Sequence, residues 1–228
     1  MKMSACLLVV IMLAACSTEA PQSSKQSGAS LGSWSKKTPM AIRISEVTVG
    51  AANNKIYVIG GSTADLNDHR LNQEYDIATD SWRNRAPLPR GLNHAAATSL
   101  NRKIYVVGAF TAAGHGGAVN LVYEYDPATD SWRTLAPLKN PRGSVGVTIL
   151  NGKIHAIGGR GVDKVTVTTH EVFDPASGKW TELAPLPRAR DHLAVVAANG
   201  RIYAIGGRVG ETPQMVDQHD IYNPATNT

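Results

Sequence analysis

One segment pattern occurs four times between Ile56 and Thr228. The first copy reads Ile-Tyr-Val-Ile-Gly-Gly at 56–61, Glu-Tyr-Asp-x-Ala-Thr-Asp-Ser-Trp at 74–82 and Ala-Pro-Leu-Pro at 86–89. It returns at Ile104, Glu124–Trp132 and Ala136–Leu138, then at Ile154–Gly159, Glu171–Trp180 and Ala184–Pro187. The last copy runs from Ile202–Gly207 to Asp220–Thr228. Short apolar strands recurring every 48–50 residues predict one small sheet per repeat. Such sheets bury their faces only by stacking on one another around an axis, as in a β-propeller.

Each unit reads the same way. A run of small and β-branched residues (93–100, 145–150, 193–198) is the innermost strand, where chains crowd near the axis. An Asn-x dipeptide follows, at Asn53-Asn54, Asn101-Arg102, Asn151-Gly152 and Asn199-Gly200. Asn and Gly accept the positive φ of a tight hairpin. The Ile-Tyr-Val-Ile run is the second strand, and the Gly pair ends it. Tyr75, Tyr125, Phe173 and Tyr222 mark the third strand, after which Asp76, Asp126 and Asp174 open a turn by accepting backbone hydrogen bonds. Trp82, Trp132 and Trp180 mark the fourth.

Every motif Trp precedes the next second-strand Ile by 22 residues, and Trp34 obeys the rule with Ile56. Residues 33–38 therefore read as an orphan outer strand, expected to pair near Asp220–Asn223 and close a fourth sheet, because an unpaired edge invites association. From Ile to its own Trp the interval is 26, 28 and 26 residues. The variation falls between the second and third strands, and variable loops on a rigid scaffold carry specificity.

A Gly pair after an apolar strand, Tyr-Asp-Pro-x-Thr, a Trp and a Pro pair together resemble the kelch repeat, over residues 34–228. The departures are Ala109 for the second Gly, His155 for Tyr, Ile77 for Pro, and a last copy without its Trp. The resemblance implies an all-β, kelch-type β-propeller with four repeat units, either closed or an incomplete six- or seven-bladed ring, since kelch relatives more often have six or seven blades. A hydrophobic content of 43% with 21 Gly and 12 Pro suits such a turn-rich fold. The net charge of +5 is scattered and forms no dense Lys/Arg run, which argues against nucleic-acid binding.

The first residues read as targeting. Met1-Lys2 is a short positive region, Leu7–Leu13 an apolar run too short to span a bilayer, and Leu13-Ala14-Ala15-Cys16 resembles a bacterial lipobox. Residues 1–15 are expected to be a lipoprotein signal peptide, Cys16 the lipidated mature N-terminus, and 16–33 a Ser/Gln/Gly-rich flexible tether. Ser17 after the Cys, rather than Asp, favours the outer membrane by resemblance to Gram-negative lipoproteins, so the expected location is the cell envelope, periplasmic or surface exposed. Cys6 leaves with the signal, so no disulfide is expected.

Site chemistry is sparse. Ten residues before each second-strand Ile stands Glu46, His94, Ser144 or His192, and Arg43, Arg90, Arg142 and Arg190 lie nearby. These eight are expected at one mouth of the channel, where they would hold a carboxylate, a sugar acid or an acidic peptide. The competing reading is that they cap strand ends and satisfy loop carbonyls. Asp68, His69, Arg70, His115, Arg160, Arg208 and Glu211 lie in the adjoining loops. No metal is expected, because the His spacing matches no ligand motif, and no cofactor. A Tyr–Cys copper centre of the kind found in a kelch oxidase needs a Cys that the mature repeats lack. The expected function is a membrane-tethered binding module for an acidic protein or glycan. The alternative is an enzyme resembling the sialic-acid mutarotases among periplasmic kelch propellers, with Glu46 and His94 or His192 as base and acid.

Overall fold

The structure is a computed structural model that describes residues 32–65, 67, 69–210 and 214–228. Three antiparallel four-stranded sheets follow one another along the chain. Sheet 1 holds β1 (Thr48–Ala52), β2 (Lys55–Ile59), β3 (Asn72–Asp76) and β4 (Ser81–Asn84). Sheet 2 holds β5 (Ala96–Leu100), β6 (Lys103–Ala112), β7 (Gly116–Asp126) and β8 (Ser131–Thr134). Sheet 3 holds β9 (Gly146–Leu150), β10 (Lys153–Ile157), β11 (His170–Asp174) and β12 (Lys179–Glu182). Sheet 4 joins β13 (Ala194–Ala198) and β14 (Arg201–Ile205) to β17 (His219–Tyr222), with a small ribbon of β15 (Arg208–Val209) and β16 (Gln214–Met215) between. This is the all-β propeller architecture that the repeat predicts. Among the described residues no helix is long and apolar enough to cross a membrane.

The turn chemistry is as read. Asn53, Asn101, Asn151 and Asn199 take φ of 53, 51, 53 and 49° between the first two strands of each sheet, the left-handed geometry that a two-residue hairpin demands. The amides of Ala78, Ala128 and Ala176 donate to Asp76, Asp126 and Asp174 at 2.9–3.0 Å.

Sheets pack face to face through alternate residues of each strand. Tyr57, Ile59, Ile104, Val106 and Tyr125 fill the first interface. Tyr105, Val107, Ile154 and Phe173 fill the second, and Ile157, Leu193, Ile202 and Ala204 the third. Innermost strands approach closely enough to require glycine: a Cβ on Gly146 would stand 2.2 Å from Val195 Cγ2. Outer strands are tied across the interfaces by the motif Trp. Trp132 Nε1 donates to Ala86 O, Trp180 Nε1 to Ala136 O and Trp82 Nε1 to Thr38 O, each at 2.8 Å.

One departure from the repeat reshapes the fold. The second Gly of the pair sits at φ 99° in Gly61, 108° in Gly159 and 107° in Gly207, a region closed to a side chain. Ala109 takes its place in sheet 2 and stays extended, so β6 runs on through Ala112 and pairs with a lengthened β7 beyond a bulge between Val107 and Ala109. His115 therefore rides near the tip of a hairpin arm.

The expected outer strand is not formed. Residues 33–38 carry no strand, Trp34 is fully exposed, and sheet 4 has three strands. Sheets 1 and 4 thus stand at the two ends of the series, with no strand pairing between them among the described residues. The outward faces of the first and last sheets consequently leave Val49, Val196, Ile205 and Ile221 exposed.

Candidate functional site

The loop entering each innermost strand turns back at one residue of positive φ. Those residues are Glu46, His94, Ser144 and His192, at φ 55, 48, 52 and 54°. Their backbones are chained from sheet to sheet: His94 N donates to Glu46 O at 3.1 Å, Ser144 N to His94 O at 3.0 Å and His192 N to Ser144 O at 3.1 Å. The sequence register thus places all four around one mouth, as expected. The left-handed turn aims their side chains together.

Side-chain contacts knit the mouth. Glu46 Oε2 lies 2.9 Å from His94 Nε2 and Ser144 Oγ 3.2 Å from His192 Nε2. His94 and His192 stand 5.2 Å apart between ring centroids. His115, delivered by the β6–β7 arm, lies 4.5 Å from His94 and 5.2 Å from His192. One ligand atom from each of the three rings falls within 4.8 Å of the others. Spacing in the chain hid this grouping, because the three rings come from the loops entering two different sheets and from the tip of the β6–β7 arm. The pocket beside them holds about 370 Å³ and also exposes Thr63, Asn93 and Arg208.

Beneath the rings lies a charged knot. Asp191 is completely buried and accepts from Arg160, from Arg208 Nε at 3.1 Å and from His192 Nδ1 at 2.7 Å. Arg208 Nη2 reaches the His192 ring at 2.7 Å and His115 Nε2 at 3.3 Å. Burial alone would raise the Asp191 carboxyl, but hydrogen bonds from His192, Arg160 and Arg208 hold it far below the usual carboxylate range. Burial lowers His94 despite Glu46, and burial with the neighbouring His94, His192 and Arg208 lowers His115 to about 4. Both rings are therefore neutral at neutral pH. Asp191 went unremarked in the sequence, although its place directly before His192 mirrors Asn93 before His94.

Two expected site residues are elsewhere. Arg142 and Arg190 are fully buried: Arg142 pairs with Glu171 and Arg190 with Asp220, each at 2.6 Å. Both stand 12 residues before a second-strand Ile, the position Leu92 fills in sheet 2, so they point into an interface rather than to the mouth. Arg43 and Arg90 are exposed on the entering loops. His69 and Arg70 bind loop groups, His69 Nε2 to Thr63 Oγ1 at 2.8 Å and Arg70 to Leu88 O. Cys16, Asp68 and Glu211 lie outside the described residues.

The mouth can present cationic and neutral nitrogen donors to an acceptor, and it can present imidazole lone pairs to a cation. No curated protein matches the chain. Residues 28–207 match the KLHDC2/KLHL20/DRC7 Kelch-repeats domain. The repeat, the stacked sheets and this match agree, and the chain belongs to the kelch-repeat family.

Proposed function

Kelch repeats generally mediate protein–protein interaction, and we propose that this chain is a membrane-tethered binding module whose ligand is an acidic protein segment or an acidic glycan. The observation that carries the reading is the Arg208 guanidinium among the His192 and His115 rings at the open pocket. A carboxylate entering there meets a partly exposed guanidinium backed by a buried Asp191, an arrangement suited to directed hydrogen bonding. The lipobox-like Leu13–Cys16 and the polar stretch after it support tethering to the envelope. An array of acidic peptides and of sialic- and uronic-acid glycans tests the ligand class. Arg208→Gln should weaken any hit at least tenfold, and added salt should weaken it further. Salt-independent binding, or unchanged binding by the variant, counts against the reading.

A second reading rests on Glu46 and His94 at 2.9 Å, a carboxylate and an imidazole placed for proton transfer at an anomeric carbon. Accelerated mutarotation of a sialic or uronic acid by the purified chain, lost in Glu46→Gln, would make the protein an enzyme.

A further inference from the structure

The strongest unassigned feature is the mouth's three-imidazole cluster. We propose that His94, His115 and His192 form a binding site for a first-row divalent transition metal such as zinc. The proposal goes beyond the acidic-ligand reading, although it uses the same pocket.

Imidazole nitrogens suit Zn²⁺, Cu²⁺ and Ni²⁺ and serve Mg²⁺ or Ca²⁺ poorly. One ligand atom from each ring lies within 4.8 Å of the other two. Donors sharing one zinc stand roughly 3.0–3.5 Å apart, given bonds of about 2.0–2.1 Å. Closure asks for about an ångström of ring movement, which the hairpin arm under His115 and the partly exposed His192 ring allow. Three protein nitrogens leave a fourth position open, facing the pocket.

Outer groups set the rings for this task. Asp191 Oδ1 sits 2.7 Å from His192 Nδ1. Such a carboxylate–histidine contact places the proton on Nδ1 and turns the Nε2 lone pair outward. Asn93 does the same for His94: its Nδ2 donates to Ala112 O at 3.4 Å, which turns Oδ1 toward His94 Nδ1 at 2.7 Å. His94 Nε2 then faces Glu46 Oε2 at 2.9 Å. A lone pair against a carboxylate oxygen calls for a positive centre between or beside them. A proton would satisfy that pair alone, and only a metal also engages His115 and His192. Glu46 compensates the added charge. Arg208 is the built-in competitor, since its Nη2 stands 2.9 Å from His192 Nε2 and 3.3 Å from His115 Nε2, the lone pairs a metal would take.

Calorimetric titration of Zn²⁺ into the chelator-treated full chain tests the site, with Mg²⁺ as the contrasting ion. One zinc per chain should bind with a low-micromolar or tighter Kd, and Mg²⁺ should not compete. His115→Ala and His192→Ala should each weaken zinc at least tenfold, His69→Ala should leave it unchanged, and Arg208→Ala should tighten it. The visible spectrum of a Co²⁺ adduct, altered in His115→Ala, gives a second readout should His192→Ala fold poorly. No zinc binding, or equal binding by wild type, His115→Ala and His192→Ala, overturns the proposal. Failure of zinc to bind sinks the metal site and leaves the acidic-ligand reading standing, because that reading is tested on the chelator-treated chain without any metal.

Discussion

Arg142 Nη1 and Glu171 Oε2 meet at 2.6 Å with both side chains 1% exposed, a pairing that the first two repeats do not make. The cause is a slip of one residue. In β3 and β7 the acid, Glu74 or Glu124, stands opposite Tyr57 or Tyr105 and pairs on that face with Arg83 or Arg133 at 2.6–2.9 Å. In β11, Glu171 stands opposite Ala156, one place earlier. Side chains alternate across a strand, so the slip moves the carboxylate to the other face of the sheet. There the entering loop supplies Arg142 in place of Leu92. Asp220 and Arg190 repeat the exchange in sheet 4.

Removing one partner of that pair strands a buried charge. Glu171→Gln should cost ~3–5 kcal/mol, read as a lower urea midpoint at unchanged slope. The double variant Arg142→Leu, Glu171→Gln restores the residue types of Leu92 and Gln73 and should recover most of the loss. A single variant as stable as wild type would show that the pair is solvated.

Stability should fall as the solution is acidified from neutral. His155 and His170 are buried, with Nδ1 of the first 2.9 Å from Nε2 of the second. Burial, with the neighbouring His170, lowers His155 to about 4, and burial lowers His170 to about 4. The unfolded chain takes up these protons near 6.5, so the folded state binds fewer protons between pH 6.5 and 4 and loses stability across that window. The stabilisation is fully present above the unfolded value. One such shift is worth about 3 kcal/mol. His155→Tyr with His170→Asn, the pairing of Tyr57 and Asn72, should flatten the profile of melting temperature against pH.

The motif tryptophans should divide by position. Trp132 stacks on Tyr125 at 4.8 Å and ties sheet 2 to Ala86. Its ring is half-buried, so Trp132→Ala should cost roughly 2–4 kcal/mol. Trp34 is fully exposed, and Trp34→Ala should lie within about 0.5 kcal/mol of wild type. A large loss at Trp34 in thermal melts would return the outer strand at 33–38 to the fold.

Cys16→Ser should abolish labelled palmitate uptake and move the protein from the membrane fraction to the soluble envelope fraction. Membrane fractionation without label in the wild type would reject lipidation at Cys16.

How much was legible depended on how local the determinant is. The Asn-x hairpins, the Asp turns and the sheet of each repeat are set by backbone preferences within a few residues, and strand alternation assigns faces from the chain alone. The register also placed Glu46, His94, Ser144 and His192 at one mouth, because equal spacing in a repeat becomes equal position on the axis. Tertiary structure decided the rest. Whether Ala109 ends β6 or extends it depends on a φ that only glycine tolerates, and that extension carries His115 across to His94 and His192. Arg142 and Arg190 look like mouth residues in sequence. They turn inward because the acid on the neighbouring strand has changed face, and a buried carboxylate draws the nearest guanidinium. Closure was the least local question of all. The angle between sheets is a sum over many packed side chains, so no single motif in the chain encodes it.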